Sequence, residues 1–199
     1  METKKAIEER RSIRKYKEES IDKETIEDIL RCGILAPSAK NRQPWYFVVT
    51  KGITKNKIAD LMIKYIEDNN DLPERFSSVI PTAEVIKKAP ILILIFKVKD
   101  DNWVIDDNLS IGACVENMCL RATELDIGSL WIRDIIYIKK EVEKIFNHKD
   151  MELNCALSLG KADQSPKPRP RKELKDVVEW YDNWNTRKII DYAITFFSL

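Results

Sequence analysis

Residues 90–98, PILILIFKV, are the stretch of this 199-residue chain that most limits its fold. The apolar core of that stretch, Ala89–Phe96, spans eight residues. A membrane-crossing helix needs about 20, so no bilayer span fits here. A continuous apolar run of this length, rich in isoleucine, reads as a central strand buried on both faces. Helical periodicity surrounds it. Residues 3–11 read as a short helix. Residues 22–35 follow a capping Asp22 and place Ile26, Ile29, Leu30 and Ile34 on one face. Further helices are expected over 54–68, 107–126 and 139–147. Further strands are expected over 46–50, 130–133 and 154–160. Residues 69–83 are polar and contain Pro73 and Pro81, which reads as a surface loop or lid. The helix over 107–126 is the longest; Asp106 or Asp107 is expected to cap it and Gly128 to close it. Its small residues Gly112, Ala113 and Cys114 permit close approach, in the core or at a subunit contact.

Several function classes drop out on composition. The five glycines lie no closer than 16 residues apart. Both the GxGxxG dinucleotide fingerprint and the Walker A loop need closely spaced glycines, so any phosphate must be met mainly by side chains. Lys plus Arg is 34 and Asp plus Glu 33, a net charge of +1, which speaks against a nucleic-acid partner with a large phosphate footprint. The four cysteines form no CxxC pair and His148 is the lone histidine, so no metal site is expected. Reduced thiols and a charged, helical N-terminus without signal-peptide character point to a cytoplasmic protein with no membrane association.

Three segments could carry chemistry. Arg10-Arg11-Ser12-Ile13-Arg14 ends the first helix; guanidinium forks match phosphate oxygens and stay charged, although a basic helix end also complements the helix dipole. In Ser165-Pro166-Lys167-Pro168-Arg169-Pro170-Arg171-Lys172 alternating prolines hold basic side chains on an extended backbone, either as a rigid linker, a docking peptide or a preorganised anion ligand. Ala36-Pro37-Ser38-Ala39-Lys40-Asn41-Arg42-Gln43-Pro44-Trp45 offers donors and acceptors for the polar edge of a heterocycle, or simply joins a helix to a strand, with Trp45 in the core. Smaller features read as structural: His148 as an exposed helix terminus, and Glu116 and Asn117 as partners across a helix contact. Residues 180–199 hold six aromatic side chains, Trp180, Tyr181, Trp184, Tyr192, Phe196 and Phe197. Leaving them in water would cost about 1.5–3 kcal/mol each, so this tail is expected to pack on its own body or on a second subunit.

Taken in order, RRSIRKY, APSAKNRQPWYFVV, NLSIGACVENMCLRATELDIGSLWI and LGKADQSPKPRPRKELKDVV resemble the flavin-dependent nitroreductase family, over the chain up to Val178. The resemblance implies an α+β fold with a central, mostly antiparallel sheet flanked by helices. It implies a domain-exchanged homodimer with FMN at each subunit interface, residues 1–178 as the FMN-binding domain and 179–199 as a C-terminal arm. By match to the motifs, Arg10, Arg11, Ser12 and Arg14 hold FMN from one subunit. Pro37, Ser38, Ala39 and Asn41 reach it from the other. Arg169 and Arg171, with Lys167 as the alternative register, return to the phosphate. Trp131, Ile132, Arg133 and Asp134 pass the ring, where the family often has a glycine.

The activity so implied is an FMN-dependent NAD(P)H oxidoreductase working by a ping-pong cycle. Hydride passes from NAD(P)H through flavin N5 to a small organic acceptor of the nitroaromatic, quinone or flavin class. Flavin carries the chemistry, no protein acid or base is required, and Arg14 is assigned to N1/O2 of the ring. Two alternatives stay open: specialised flavin chemistry on this fold, such as FMN fragmentation or reductive dehalogenation, and a non-enzymatic RNA- or partner-binding module.

Overall fold

The computed structural model describes residues 2–69, 71–148 and 150–181. Four strands, β1 (Trp45–Thr50), β2 (Ile91–Val98), β3 (Ile127–Ile132) and β4 (Met151–Lys161), form one sheet in the order β1-β2-β4-β3. All three pairings are antiparallel. The helices are α1 (Thr3–Glu9), α2 (Lys23–Ile34), α3 (Gly52–Glu67), α4 (Val79–Lys88), α5 (Val104–Glu124) and α6 (Lys139–Phe146). The expected α+β class, with an antiparallel sheet flanked by helices, is what the chain adopts.

Side-chain alternation on β2 divides the core into two layers. Ile91, Ile93 and Ile95 join Ile29 of α2 and Ile111, Cys114, Val115 and Met118 of α5. Leu92, Leu94 and Phe96 join Ile58 and Met62 of α3, Ala83 and Ile86 of α4, and Val142 of α6. A strand with both faces covered has no polar positions to spare, which accounts for the unbroken apolar run. Lys97, the buried exception, meets Glu152 of β4 at 2.8 Å. Burial alone would raise the Glu152 carboxyl, but Lys97 and Lys139 hold it below its ordinary value. Buried Lys55 caps α4 from outside, donating to the carbonyls of Ile86 and Lys87 at 2.7 Å each.

Three boundaries differ from the sequence reading. Residues 69–83 are not a loop throughout: a 3-10 turn spans Glu74–Phe76 and α4 starts at Val79. Pro81 sits in the first turn of α4, where the missing N–H has no intrahelical partner to lose. Trp103, rather than Asp106 or Asp107, holds the N-cap position of α5, and both aspartates lie in its first turn. Gly128 does not close α5; Asp126 takes the left-handed conformation (φ 55°) and Gly128 lies inside β3. His148 is half-buried against the rings of Tyr46 and Phe96, at centroid distances of 4.9 and 5.3 Å.

The chain divides into two units, one running to Pro166 and one beginning at Lys167. In the second, Leu174–Asp176 forms a 3-10 turn, and Lys167, Arg169 and Arg171 are exposed. Trp184, Tyr192, Phe196 and Phe197 of the expected arm lie outside the described residues. No helix among the described residues is long and apolar enough to cross a membrane.

Candidate active site

The segment that follows α1 is extended and wraps the free edge of β3. Helix α1 stops at Glu9, so Arg10 and Arg14 do not share a helix face. Instead the Ile13 N–H donates to the Ser129 carbonyl at 2.8 Å, and the Lys17 N–H donates to the Lys161 carbonyl at 2.9 Å. Between these ties, Ile13 and Tyr16 press onto the sheet over Gly128 and Gly160, which pair directly across β3 and β4. A Cβ at Gly160 would lie 2.6 Å from both Pro90 Cδ and Tyr16 Cδ1. A Cβ at Gly128 would lie 2.9 Å from Ile13 Cγ2. The Tyr16 hydroxyl donates to the Ile13 carbonyl at 2.9 Å and pairs with Ser158 Oγ at 2.8 Å. Burial pushes the Tyr16 phenol above its ordinary value, partly offset by the Ser158 contact. The backbone of residues 13–16 is thus fixed on both sides of Arg14.

Arg14 lines a cavity of about 350 Å³ with Leu130–Asp134 at the end of β3 and Ser78, Pro81, Thr82 and Val85 around the start of α4. The cavity is large enough for a ring system of ligand size. Alternation sends Leu130 and Ile132 to the α4 layer. The Trp131 ring goes the other way, so that a Cβ at Gly112 of α5 would lie 3.7 Å from its edge. Arg14 makes a long contact to the Ser12 carbonyl, 3.4 Å, and has no carboxylate partner among the described residues. Asp134 Oδ2 accepts from Ser78 Oγ at 2.7 Å and Thr82 Oγ1 at 3.4 Å. Ser78 and Thr82 escaped the sequence reading because Pro73 and Pro81 made their surroundings look like loop.

Arg14 and Trp131–Asp134 therefore meet at one cavity. The other singled-out residues of the first unit lie outside this cavity. Arg10 pairs with Glu116 of α5 through Nε at 3.1 Å, and Asn117 donates to the Cys32 carbonyl at 3.2 Å. Asn117 thus makes the expected helix contact, with α2, whereas Glu116 meets the residue that follows α1. Arg11 donates to the carbonyls of Glu8 and Arg10 and lines a separate cavity of about 360 Å³ with Lys17 and Lys161. Pro37, Ser38, Ala39 and Asn41 do not line the Arg14 cavity.

Their loop is nonetheless more than a connection. Lys40, Asn41 and Gln43 all have positive φ, 48°, 55° and 48°. Such backbone costs about 1–3 kcal/mol per residue and persists only where the surroundings fix it. Ser38 Oγ accepts from the Gln43 N–H at 3.0 Å. Arg42 pairs with buried Asp107 and with Asp100, both at 3.1 Å, while its guanidinium lies 4.4 Å from the centroid of the Trp103 ring. Trp45 is only half-buried, at the edge of the α5 layer.

The Nitroreductase family pattern matches residues 7–161. The chain belongs to the nitroreductase family. A protein of Archaeoglobus fulgidus provisionally named NADH dehydrogenase/NAD(P)H nitroreductase is 30% identical over 93% of this chain and 94% of its own length. Among solved structures, a BluB-like flavoprotein of Clostridium difficile 630 is 25% identical with a TM-score of 0.78, covering 92% of this chain and all of that one. A provisionally named nitroreductase of Desulfovibrio desulfuricans, solved in complex with FMN, has a TM-score of 0.73 at 24% identity, over 92% of this chain and 98% of that one, a likeness of fold.

The thiols of this nitroreductase-family chain lie away from the cavity. Burial pushes Cys114, Cys119 and Cys155 up to about 12, from an ordinary 9.0. A raised acid contributes stability below its unfolded value and loses it as the pH climbs towards the folded value. Urea midpoints are therefore expected to fall between pH 8 and pH 10. Cys119 and Cys155 together account for about 3 kcal/mol of this, at about 1.4 kcal/mol per pH unit each above pH 9. The double variant Cys119→Ala, Cys155→Ala should show a flatter profile; an unchanged slope would place the titration elsewhere.

Proposed function

We propose that the chain is an FMN-dependent oxidoreductase that takes reducing equivalents from NAD(P)H and passes them to a small organic acceptor by a ping-pong cycle. The observation that carries this reading is the Arg14 guanidinium, free of any carboxylate among the described residues, beside the end of β3 on one cavity. Residues of these types fit FMN. Arg14 meets the negative charge that reduction places on the pyrimidine edge, with a guanidinium that stays protonated at any working pH. Trp131, Ile132, Arg133 and Asp134 line the same wall. Arg10 keeps its terminal nitrogens for phosphate, since Glu116 contacts Nε; Arg11 and Ser12 complete that segment. Lys167, Arg169 and Arg171 serve the phosphate in this reading through charge alone.

Bound FMN supplies the hydride and electron transfer that no side chain of the chain can perform. The residues bind, orient and bias charge. A homodimer belongs to the same reading. Pro37, Ser38, Ala39 and Asn41 lie off the Arg14 cavity and are assigned to the partner's flavin. Ile105 and Leu109, one turn apart on α5, are 74% and 71% exposed, an apolar strip suited to a subunit contact.

The test is direct. The purified protein is expected to be yellow, to bleach anaerobically with NADH or NADPH, and to regain colour on adding a quinone or nitroaromatic. Parallel double-reciprocal plots are expected for the two substrates. Colourless protein that FMN cannot reconstitute would overturn the assignment.

A further inference from the structure

Arg133 and Asp134 look like a self-neutralising pair in sequence, but the structure sends their charges apart. Asp134 faces the start of α4, where Ser78 at the N-cap position and Thr82 one turn on donate to the same oxygen. A carboxylate there meets the positive end of the helix dipole as well as two hydroxyls. Arg133 instead lies over the Tyr137 ring, 5.2 Å from its centroid, and donates to the Tyr137 hydroxyl at 2.6 Å. It is exposed, and among the described residues no carboxylate pairs with it. Arg10, Arg42 and Arg121 are each matched by an acid. The wall of the cavity thus carries a second guanidinium, held by an aromatic platform and without a counter-charge.

We infer that this cavity selects an acceptor bearing an anionic group, a carboxylate above all, and that Arg133 is the residue that selects it. The inference rests on the flavin reading above: with Arg14 committed to FMN, the charge of Arg133 is left for the second ligand. A guanidinium presents two parallel N–H donors to a carboxylate. One already docked on a tyrosine ring loses less freedom when it does so.

The probes are 4-nitrobenzoate and 4-nitrobenzamide, which share ring and nitro group and differ in charge. The wild-type protein is expected to favour the carboxylate by about tenfold or more in kcat/KM, expressed in KM, the size of one charge-assisted contact. In Arg133→Gln that ratio should fall to near one, with Arg133→Lys in between. Benzoate, which cannot be reduced, should perturb the flavin spectrum with a Kd about tenfold lower in wild type than in Arg133→Gln; benzamide should not follow this trend. A wild-type ratio near one, or the same ratio in Arg133→Gln, would overturn the inference. So would a change confined to the NADPH-over-NADH ratio, which would give the charge to the reductant. Protein that binds FMN, bleaches and reduces 4-nitrobenzamide without charge preference sinks this inference alone. Protein that never takes up flavin sinks both.

Discussion

Arg14→Ala is expected to leave purification with FMN held about 10- to 100-fold more weakly, the worth of a lost charge-assisted contact. Its flavin is also expected to be harder to reduce. Both effects have one origin in the proposed site. Arg14 sits beside the end of β3 on the cavity, tied to no acid among the described residues, so its charge is available to a ligand and to the extra electron density of a reduced one. Removing it takes away an attraction that grows on reduction, so affinity for the reduced cofactor should fall more than for the oxidised. Equilibrium dialysis and a redox titration against a dye check the two parts. Arg14→Lys should recover part of the potential and less of the affinity, because an ammonium keeps the charge but not the fork. Equal affinity and potential in Arg14→Ala would remove Arg14 from the site.

Gly160→Ala is expected to act through packing rather than charge. The new Cβ would fall 2.6 Å from Pro90 Cδ and Tyr16 Cδ1, both atoms of rings that cannot bend aside. Overpacking of this kind costs about 1–3 kcal/mol, occasionally more. The Tyr16 ring must lift, breaking the contact of its hydroxyl with Ser158 and the hold on Ile13. Chemical denaturation should show the loss of stability. A second readout separates relayed effects from general weakening: FMN retention should fall in Gly160→Ala at temperatures where far-UV circular dichroism is unchanged. Gly112→Ala is the comparison, since its Cβ would meet only the Trp131 ring edge at 3.7 Å, ordinary contact.

Local signals with local causes were legible from sequence. The apolar run of β2 is buried from Ile91 to Phe96. Asp22 caps α2 through the Thr25 N–H at 2.7 Å. Long-range causes were not. Gly128 looked like a helix terminator because it follows an amphipathic stretch, yet it is needed by Ile13, which arrives from 115 residues earlier. Pro73 and Pro81 punctuate the sequence so strongly that α4 was hidden, and with it Ser78 and Thr82. Arg10 and Arg14 have helical spacing, but the backbone at Arg10 turns to φ −55°, ψ 128°, which ends the helix and gives the two arginines different surroundings. Arg14 and Trp131–Asp134 lie more than 115 residues apart in sequence, and the sheet edge decided that they share a cavity.

The seating of the RSIRKY segment also orders events during synthesis. Residues 12–16 leave the ribosome well before their seats, Ser129, Ser158, Gly160 and Ala162. A nascent chain that stops short of residue 162 has the arginines and nowhere to hold them. That segment must wait, solvated and uncommitted, until β4 pairs, and closing so long a loop is a slow and late step. A ligand captured by Arg14 would then fasten that early-made segment to the end of β3, and only after β4 has joined the sheet.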